Sequence, residues 1–466
     1  MTLTLTVPPR ADADRLTGLP VAVIGAGPVG LAAAAHLLEQ GLSVVVYEAG
    51  YQVGTSVRAW GHTRLFSPWR YVIDDAARRL LEPTGWTEPR RSSLPTGHDL
   101  VEQYLDPLAR TPQLAPVIRY GVRVEAVSRQ GMDRTRSTGR ADTPFLLRLH
   151  AADGVEDITA RAVIDTSGTY TSPNPLTAAG LAPTADLGDR IVHALPDVLG
   201  EDRARFAGKR VLVVGAGHSA ANTLIKLGAL AKDEPGTTLL WAIRNAGTAR
   251  LGADAADGLA ARGQLGSTVH GLVESGQVQQ LASFEIDDVR GDGDQVTVTG
   301  RRAGEPFTVA VDVVVNATGF RPDLDMLREI RLGLDDVVEA PRALAPLIDP
   351  NLHSCGSVPP HGVAELSHPE PNFFIAGMKS YGRAPTFLLL TGYEQVRSIA
   401  AELAGDHQAA RDVQLVLPET GVCTTDIGGS SSCSVPATTA EATEGSSCCA
   451  APAPAAPPAS SSCCTN

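Results

Sequence analysis

Two glycine clusters carry the first chemistry that can be read from this chain. Gly25, Gly27, Pro28 and Gly30 stand in Gly-Ala-Gly-Pro-Val-Gly, and Gly215, Gly217, His218, Ser219 and Ala220 stand in Gly-Ala-Gly-His-Ser-Ala. In each, the first glycine permits a tight turn, the second a close approach by a pyrophosphate, and the third small residue a close packing of helix on strand. The apolar run after the first copy ends in Glu48, and the one after the second copy, Thr237 to Ile243, ends in Arg244. A carboxylate can accept hydrogen bonds from ribose hydroxyls. A guanidinium can pair with a 2′-phosphate that a carboxylate would repel. The first copy is therefore expected to take a dinucleotide with a free 2′-hydroxyl, and the second NADPH. An ordinary solvated arginine is the other reading of Arg244.

These groups need strands and helices to aim them. Leu19 to Ile24 reads as a buried parallel strand, the Ala/Leu run to Leu38 as a helix whose N-terminus faces phosphate, and Ser43 to Tyr47 as the next strand. Phe206 to Asn222 repeats the design, and the repeat supports both copies. Between them, Gly50 to Trp69 is dense in aromatic and basic groups: Arg58, Trp60, His62, Arg64 and Trp69. Arg58 and Trp60 suit a stacked, charged cofactor, or else a loop packed by its aromatics. Helices are expected at Asp74–Leu81 and His98–Leu108, and β-meanders at residues 119–150 and 284–299. Buried strands run into small-residue turns at Asp165–Thr169 and at Asn316-Ala317-Thr318-Gly319. A short strand is expected at 372–378 and a helix at Pro385–Leu403. The architecture expected is α/β, with two Rossmann-like dinucleotide-binding domains, the second inserted in the first. The divisions are 18–175 and 316–405 for the first domain, 176–315 for the inserted one, and 406–466 for a flexible tail.

With 466 residues, 43% hydrophobic and 20% charged, the chain has the composition of a globular protein with room for two or three domains. A net charge of −13 argues against nucleic acid or an anionic membrane as partner. No secretory leader or membrane span is legible, so a cytoplasmic location is expected. Of the seven cysteines, only Cys355 lies in the body. Cys423, Cys433, Cys448, Cys449, Cys463 and Cys464 fall in a Ser/Thr/Ala/Pro-rich stretch too polar to fold alone, expected to be a disordered tail. Its two vicinal pairs, with Cys423 or Cys433 as an outlying third sulfur, are candidate ligands for As(III) or another soft metal ion, since soft thiolates select soft ions.

Two dinucleotide units, each followed by a meander and a strand ending in a small-residue turn, resemble the two-dinucleotide-binding-domain flavoproteins. The segment Ile191-Val192-His193, leading to Lys209-Arg210-Val211-Leu212-Val213-Val214-Gly215, is similar to flavin-containing and Baeyer–Villiger-type monooxygenases. Ala317-Thr318-Gly319-Phe320 resembles the Ala-Thr-Gly turn of that superfamily. The resemblance implies FAD at Gly25, Gly27, Gly30 and Glu48, and NADPH at Gly215, Gly217, Ser219, Ala220 and Arg244. It implies further cofactor contacts at Thr318, Gly319 and Gly377. It makes His193 the candidate catalytic group, a structural histidine being the alternative. Many relatives carry Gly-Asp where this chain has Gly377-Met378-Lys379, and Ala194 stands where a serine is often found. The function implied is reduction of FAD by NADPH and a monooxygenase-like reaction on a small molecule, with a link to arsenic handling through the tail. Two other readings stand beside it. One is an NADPH-dependent thiol or metalloid reductase served by the Cys tail, whose thiols resemble those of mercuric reductases. The other is a metal-binding or sensing flavoprotein.

Overall fold

A computed structural model describes residues 15–185, 187–245, 260–349, 358–384 and 387–415. Cys355 and the tail cysteines lie outside the described residues.

The first parallel sheet is seeded by β1 (Val21–Ile24) and β2 (Val44–Glu48), with β3 (Ile118–Tyr120) at its edge. An antiparallel meander follows: β4 (Arg123–Arg129), β5 (Phe145–Ala151) and β6 (Gly154–Ala160). The chain then returns to the first sheet as β7 (Ala162–Asp165). The second sheet takes β8 (Ile191–His193), β9 (Arg210–Val214), β10 (Thr238–Ala242) and β11 (Val278–Leu281). Its meander is β12 (Phe284–Asp292), β13 (Gln295–Arg302) and β14 (Glu305–Val311), and its last strand is β15 (Val313–Asn316). Finally β16 (Phe373–Ile375) joins the first sheet. The two five-stranded sheets run in the orders β16-β7-β1-β2-β3 and β11-β10-β9-β15-β8. All pairings within them are parallel.

Side chains alternate across a strand, so a sheet covered on both faces needs apolar residues at every position. β1 shows this directly. Val21 and Val23 join the core that includes the helix Pro28–Glu39, while Ala22 and Ile24 face the core built with the meander residues Val124, Phe145 and Leu147. β9 repeats the division: Val211 and Val213 pack with the helix His218–Asp233, and Leu212 and Val214 with the second meander. Each such buried Val or Leu contributes roughly 1.5–3 kcal/mol.

The chain crosses between the sheets twice, and the crossings lie side by side. Pro173 and Phe320 pair antiparallel, and the Asn174 amide donates to Gly319 O at 2.9 Å. Asn316 Nδ2 donates to Asn174 O (2.8 Å) and Thr318 Oγ1 to Asn316 Oδ1 (2.7 Å), lacing the turn after β15 to the outgoing strand.

Several elements differ from expectation at their edges. The helix expected from Pro385 is formed at Leu389–Leu403, with Phe387 and Leu388 outside it and Pro385 not among the described residues. The tail boundary at 406 is corrected. Asp406 caps a further helix, His407–Arg411, and Arg397 donates to Ala409 O at 2.9 Å, so this segment belongs to the folded body. The stretch expected as a helix at His98–Leu108 is a continuous helical run with a π-helical turn at Val101–Leu105. Among the described residues no helix is long and apolar enough to cross a membrane.

Candidate dinucleotide sites

In a parallel sheet the ligand crevice opens at the carboxyl ends of the strands. Gly25 follows β1 with φ +100°, and Gly215 follows β9 with φ +131°, a region that side chains other than glycine rarely adopt. These turns deliver Gly27 and Gly217 as extended N-caps of the two long helices. A Cβ added at either meets nothing within 4 Å, so both face open space, as a cradle for a pyrophosphate requires. Pro28 occupies the first helical position, where its missing N–H would have had no acceptor. The first intrahelical bonds are Leu31 N to Gly27 O (3.0 Å) and Ala221 N to Gly217 O (3.1 Å). The amides of Val29 and Gly30, and of Ser219 and Ala220, therefore lack intrahelical acceptors and point toward the open ends.

Glu48, at the end of β2, is buried and braces the first loop. Its Oε2 accepts from the Ala26 amide (2.7 Å) and its Oε1 from the Gly50 amide (2.9 Å). Each oxygen keeps a second acceptor position, which suits a ribose hydroxyl. Arg244, two residues beyond β10, is exposed, with no polar partner among the described residues. In the second loop the buried Trp241 donates from Nε1 to Gly215 O at 2.7 Å and fixes the turn from beneath.

Other expected site residues sit differently. Arg58 is committed to the fold: it holds Asp106 through both carboxylate oxygens (2.8 Å each) and donates from Nε to Val53 O. Trp60 packs against the first core and over Gly97, where an added Cβ would lie 2.8 Å from its ring. The loop that carries them acts as a junction. Phe66 lies 5.3 Å from the His218 ring of the second unit. The neighbouring His62 is less readily protonated than usual because it is partly desolvated and faces the Lys226 ammonium. Gly377 also has both backbone groups occupied. Its N–H donates to Gln395 Oε1 (2.8 Å) and its carbonyl accepts from Ser380 Oγ (2.7 Å), so its own amide is engaged within the fold. A Cβ on Gly377 would come within 3.3 Å of Val29, which explains the glycine by close approach. Thr318 and Gly319 form the inner wall of the double crossing, and Gly215 touches the same turn, since its Cβ would lie 2.1 Å from Ala317 O. His193 ends the edge strand β8, opposite Asn316, with its side chain exposed and no polar partner among the described residues.

Sequence reasoning missed the polar groups beneath the first crevice. Lys379 and Asp165 form a buried ion pair at 2.7 Å, with Ser167 beside it. Gln395 donates to His361 Nε2 (2.9 Å), whose Nδ1 faces Pro359 O, and burial holds this imidazole neutral. The one available signal was the missing acid: many relatives carry Gly-Asp, and here Gly377 is followed by Met378 and then Lys379. Among the described residues no group of His, Cys, Asp and Glu side chains could hold a metal ion.

With this geometry in place, comparison with known proteins is informative. The chain is 27% identical over 253 residues to the flavin-containing monooxygenase FMO GS-OX-like 2 of Arabidopsis thaliana, covering 47% of this chain and 49% of that protein. It thus spans about half the length of that relative. It is 28% identical over 322 residues to the ferredoxin–NADP reductase of Salinispora tropica, covering 68% of this chain and 78% of the relative. Among solved structures, the bacillithiol disulfide reductase of Bacillus cereus superposes with a TM-score of 0.62 at 20% identity, over 83% of this chain and 99% of that one. That likeness establishes a shared fold. Residues 22–351 match the family model of the pyridine nucleotide-disulphide oxidoreductases, and the chain belongs to that family.

Proposed function

We propose that the protein is an oxidoreductase that binds FAD in the first crevice and NADPH in the second, and carries out a monooxygenase-like reaction on a small molecule. The observation that carries this reading is the pair of open glycine cradles, one closed by the acceptor Glu48 and the other by the exposed cation Arg244, which has no polar partner among the described residues. FAD when bound would supply hydride acceptance from NADPH and reaction with oxygen. The chain's own residues bind and orient: Gly27 and the amides of Val29 and Gly30 hold one pyrophosphate, and Glu48 a ribose. Gly217 with the amides of Ser219 and Ala220 holds the other, and Arg244 reads the 2′-phosphate. His193, on the carboxyl edge of the second sheet, is the proposed proton-handling group. A reaction in the cytoplasm, where NADPH and free thiols coexist, suits this reading.

Oxygenation is favoured over disulfide reduction by cysteine usage. A disulfide reductase needs a cysteine pair beside its flavin, and Cys355 is alone before residue 421. The test is reconstitution with FAD, anaerobic addition of NADPH to bleach the visible flavin band, and then aerobic turnover with candidate small substrates. Oxygen found in product, in proportion to NADPH consumed, supports the reading. A protein that cannot be reconstituted with FAD ends it.

A second reading rests on the clustering of the other six cysteines in the tail. There the vicinal pairs Cys448-Cys449 and Cys463-Cys464, with Cys423 or Cys433 as a third sulfur, bind As(III) or another soft ion and bring it to the flavin. Truncation after Gly421 should then abolish stoichiometric binding of phenylarsine oxide while leaving NADPH oxidation intact.

A further inference from the structure

Beneath the mouth of the first crevice lies an ion pair that the nucleotide-binding pattern does not require. The Lys379 side chain is 1% exposed and that of Asp165 0%. Nζ donates to Asp165 Oδ2 at 2.7 Å and to Ser167 Oγ at 3.0 Å. Ser167 in turn donates to Asp165 Oδ1 from its amide (3.0 Å) and its hydroxyl (2.7 Å). The three side chains close a ring between segments 214 residues apart.

Both segments border the crevice. Thr166 Oγ1 donates to Ile24 O at 2.8 Å, and a Cβ on Gly25 would lie 3.2 Å from Ser167 Cα, so the turn after β7 packs directly on the glycine loop. The turn Gly377–Tyr381 rests on Val29, in the first turn of the crevice helix. It is fixed from the far side by Gln395, which accepts from Gly377 N–H and donates to Ser380 Oγ at 3.0 Å. Desolvating two charges is costly, and a well-packed apolar pair of similar volume would stabilise a core at least as well. What an ion pair adds is direction: a fixed length and a fixed approach between two segments, where apolar contacts tolerate sliding.

We infer that Lys379 is a positioning residue for the first dinucleotide site. By holding Asp165 and Ser167 it sets the spacing between the two turns that wall the crevice before a dinucleotide enters. This rests on the reading that the first crevice takes FAD.

The test compares the full-length wild type with Lys379→Met, Asp165→Asn/Lys379→Met and Ser167→Ala. Three readouts are taken: melting of the apoprotein, FAD affinity by fluorescence quenching, and the visible spectrum of bound flavin. Lys379→Met alone strands a buried carboxylate and should lower the melting temperature. The double variant removes both charges and should regain it, yet its Kd for FAD should stay raised about tenfold, with an altered flavin band shape. Ser167→Ala should raise the Kd about threefold with unchanged apoprotein melting. A double variant that binds FAD with wild-type Kd and spectrum makes the pair structural only and overturns the inference. Should the double variant not fold, an unchanged Kd in Ser167→Ala overturns it equally. A wild type that binds no FAD removes the FAD reading itself, whereas the other outcomes bear on Lys379 alone.

Discussion

The two dinucleotide units look alike in sequence and are crowded in different places. In the first, the tight point is the third small residue: a Cβ on Gly30 would lie 1.9 Å from Gly25 O and 2.7 Å from Thr166 Oγ1. In the second, that position is already Ala220, fully buried, and the tight point has moved to the first glycine, whose Cβ would strike Ala317 O at 2.1 Å. The first unit closes its turn by pressing helix onto strand. The second stands its helix off by a methyl and presses the turn against the neighbouring strand's exit, with Trp241 beneath it. The same motif is thus supported from different sides. Equivalent substitutions in the two copies should therefore have unequal effects.

The largest expected effect tests that inequality. Gly30→Ala and Gly215→Ala each force a methyl against backbone and should destabilise their unit by about 3 kcal/mol or more. Ala220→Gly, at the position matching Gly30, should cost only about 1 kcal/mol in helix propensity. Thermal melts of the three variants check this, and equal losses at Gly30 and Ala220 would erase the distinction. Next come the two open positions. Gly27→Ala and Gly217→Ala meet no protein atom, so apoprotein stability should stay within about 0.5 kcal/mol of wild type. Gly27→Ala should nevertheless lose FAD on purification, and Gly217→Ala should lose NADPH saturation while keeping FAD. Loss of both cofactors from either variant would mean that the two cradles are not independent.

Arg244→Ala addresses the other asymmetry, the acid in one unit against the cation in the other. Losing one charge-assisted phosphate contact removes about 1.5–3 kcal/mol, a roughly ten- to hundredfold rise in KM for NADPH. KM for NADH should hardly move, and a parallel rise in both would exclude 2′-phosphate recognition. The smallest effect is a difference in acid sensitivity. His368 supports the first sheet beside Phe373, and burial lowers its pKa to about 4. Below the ordinary histidine value near 6.5 the unfolded chain binds a proton that the folded chain refuses, so stability falls as pH drops from about 6.5 toward 4. Between pH 7.5 and 5.5 the loss from this residue is about 1 kcal/mol. His368→Gln should flatten that part of the melting-against-pH curve, and an unchanged curve would assign the acid sensitivity elsewhere.

What could be read from the sequence was what local pattern encodes. Both glycine turns, the strands behind them and the repeat itself follow from runs of a few residues, and they stand where expected. Strand β6 was not legible, because its first four residues, Gly154 to Asp157, are all exposed and show no alternation. Arg58 was recognised as a group able to meet a charged cofactor, but its partner, Asp106, lies 48 residues on and no spacing rule connects them. Lys379 and Asp165 were invisible as a pair for the same reason, since only the return of β16 beside β7 brings their segments together. The family resemblance implies a cofactor contact at Gly377, whereas Gln395, on the following helix, takes its amide, a pairing no local pattern encodes.

The nested order of the two sheets also governs how the chain is born. Val163 of β7 pairs with Phe373 of β16, so the outer sheet lacks a strand until the chain has been made through Ile375. The inserted sheet is complete in sequence by Asn316. During synthesis the second unit can therefore close first, while β7 presents an unpaired edge of buried-type residues, Ala162, Val163 and Ile164. The laced crossing at Asn174 and Thr318 can form as soon as the insert closes, which holds that edge in place for β16 to arrive. A ribosome stalled between the two strands would leave a finished guest inside an unfinished host.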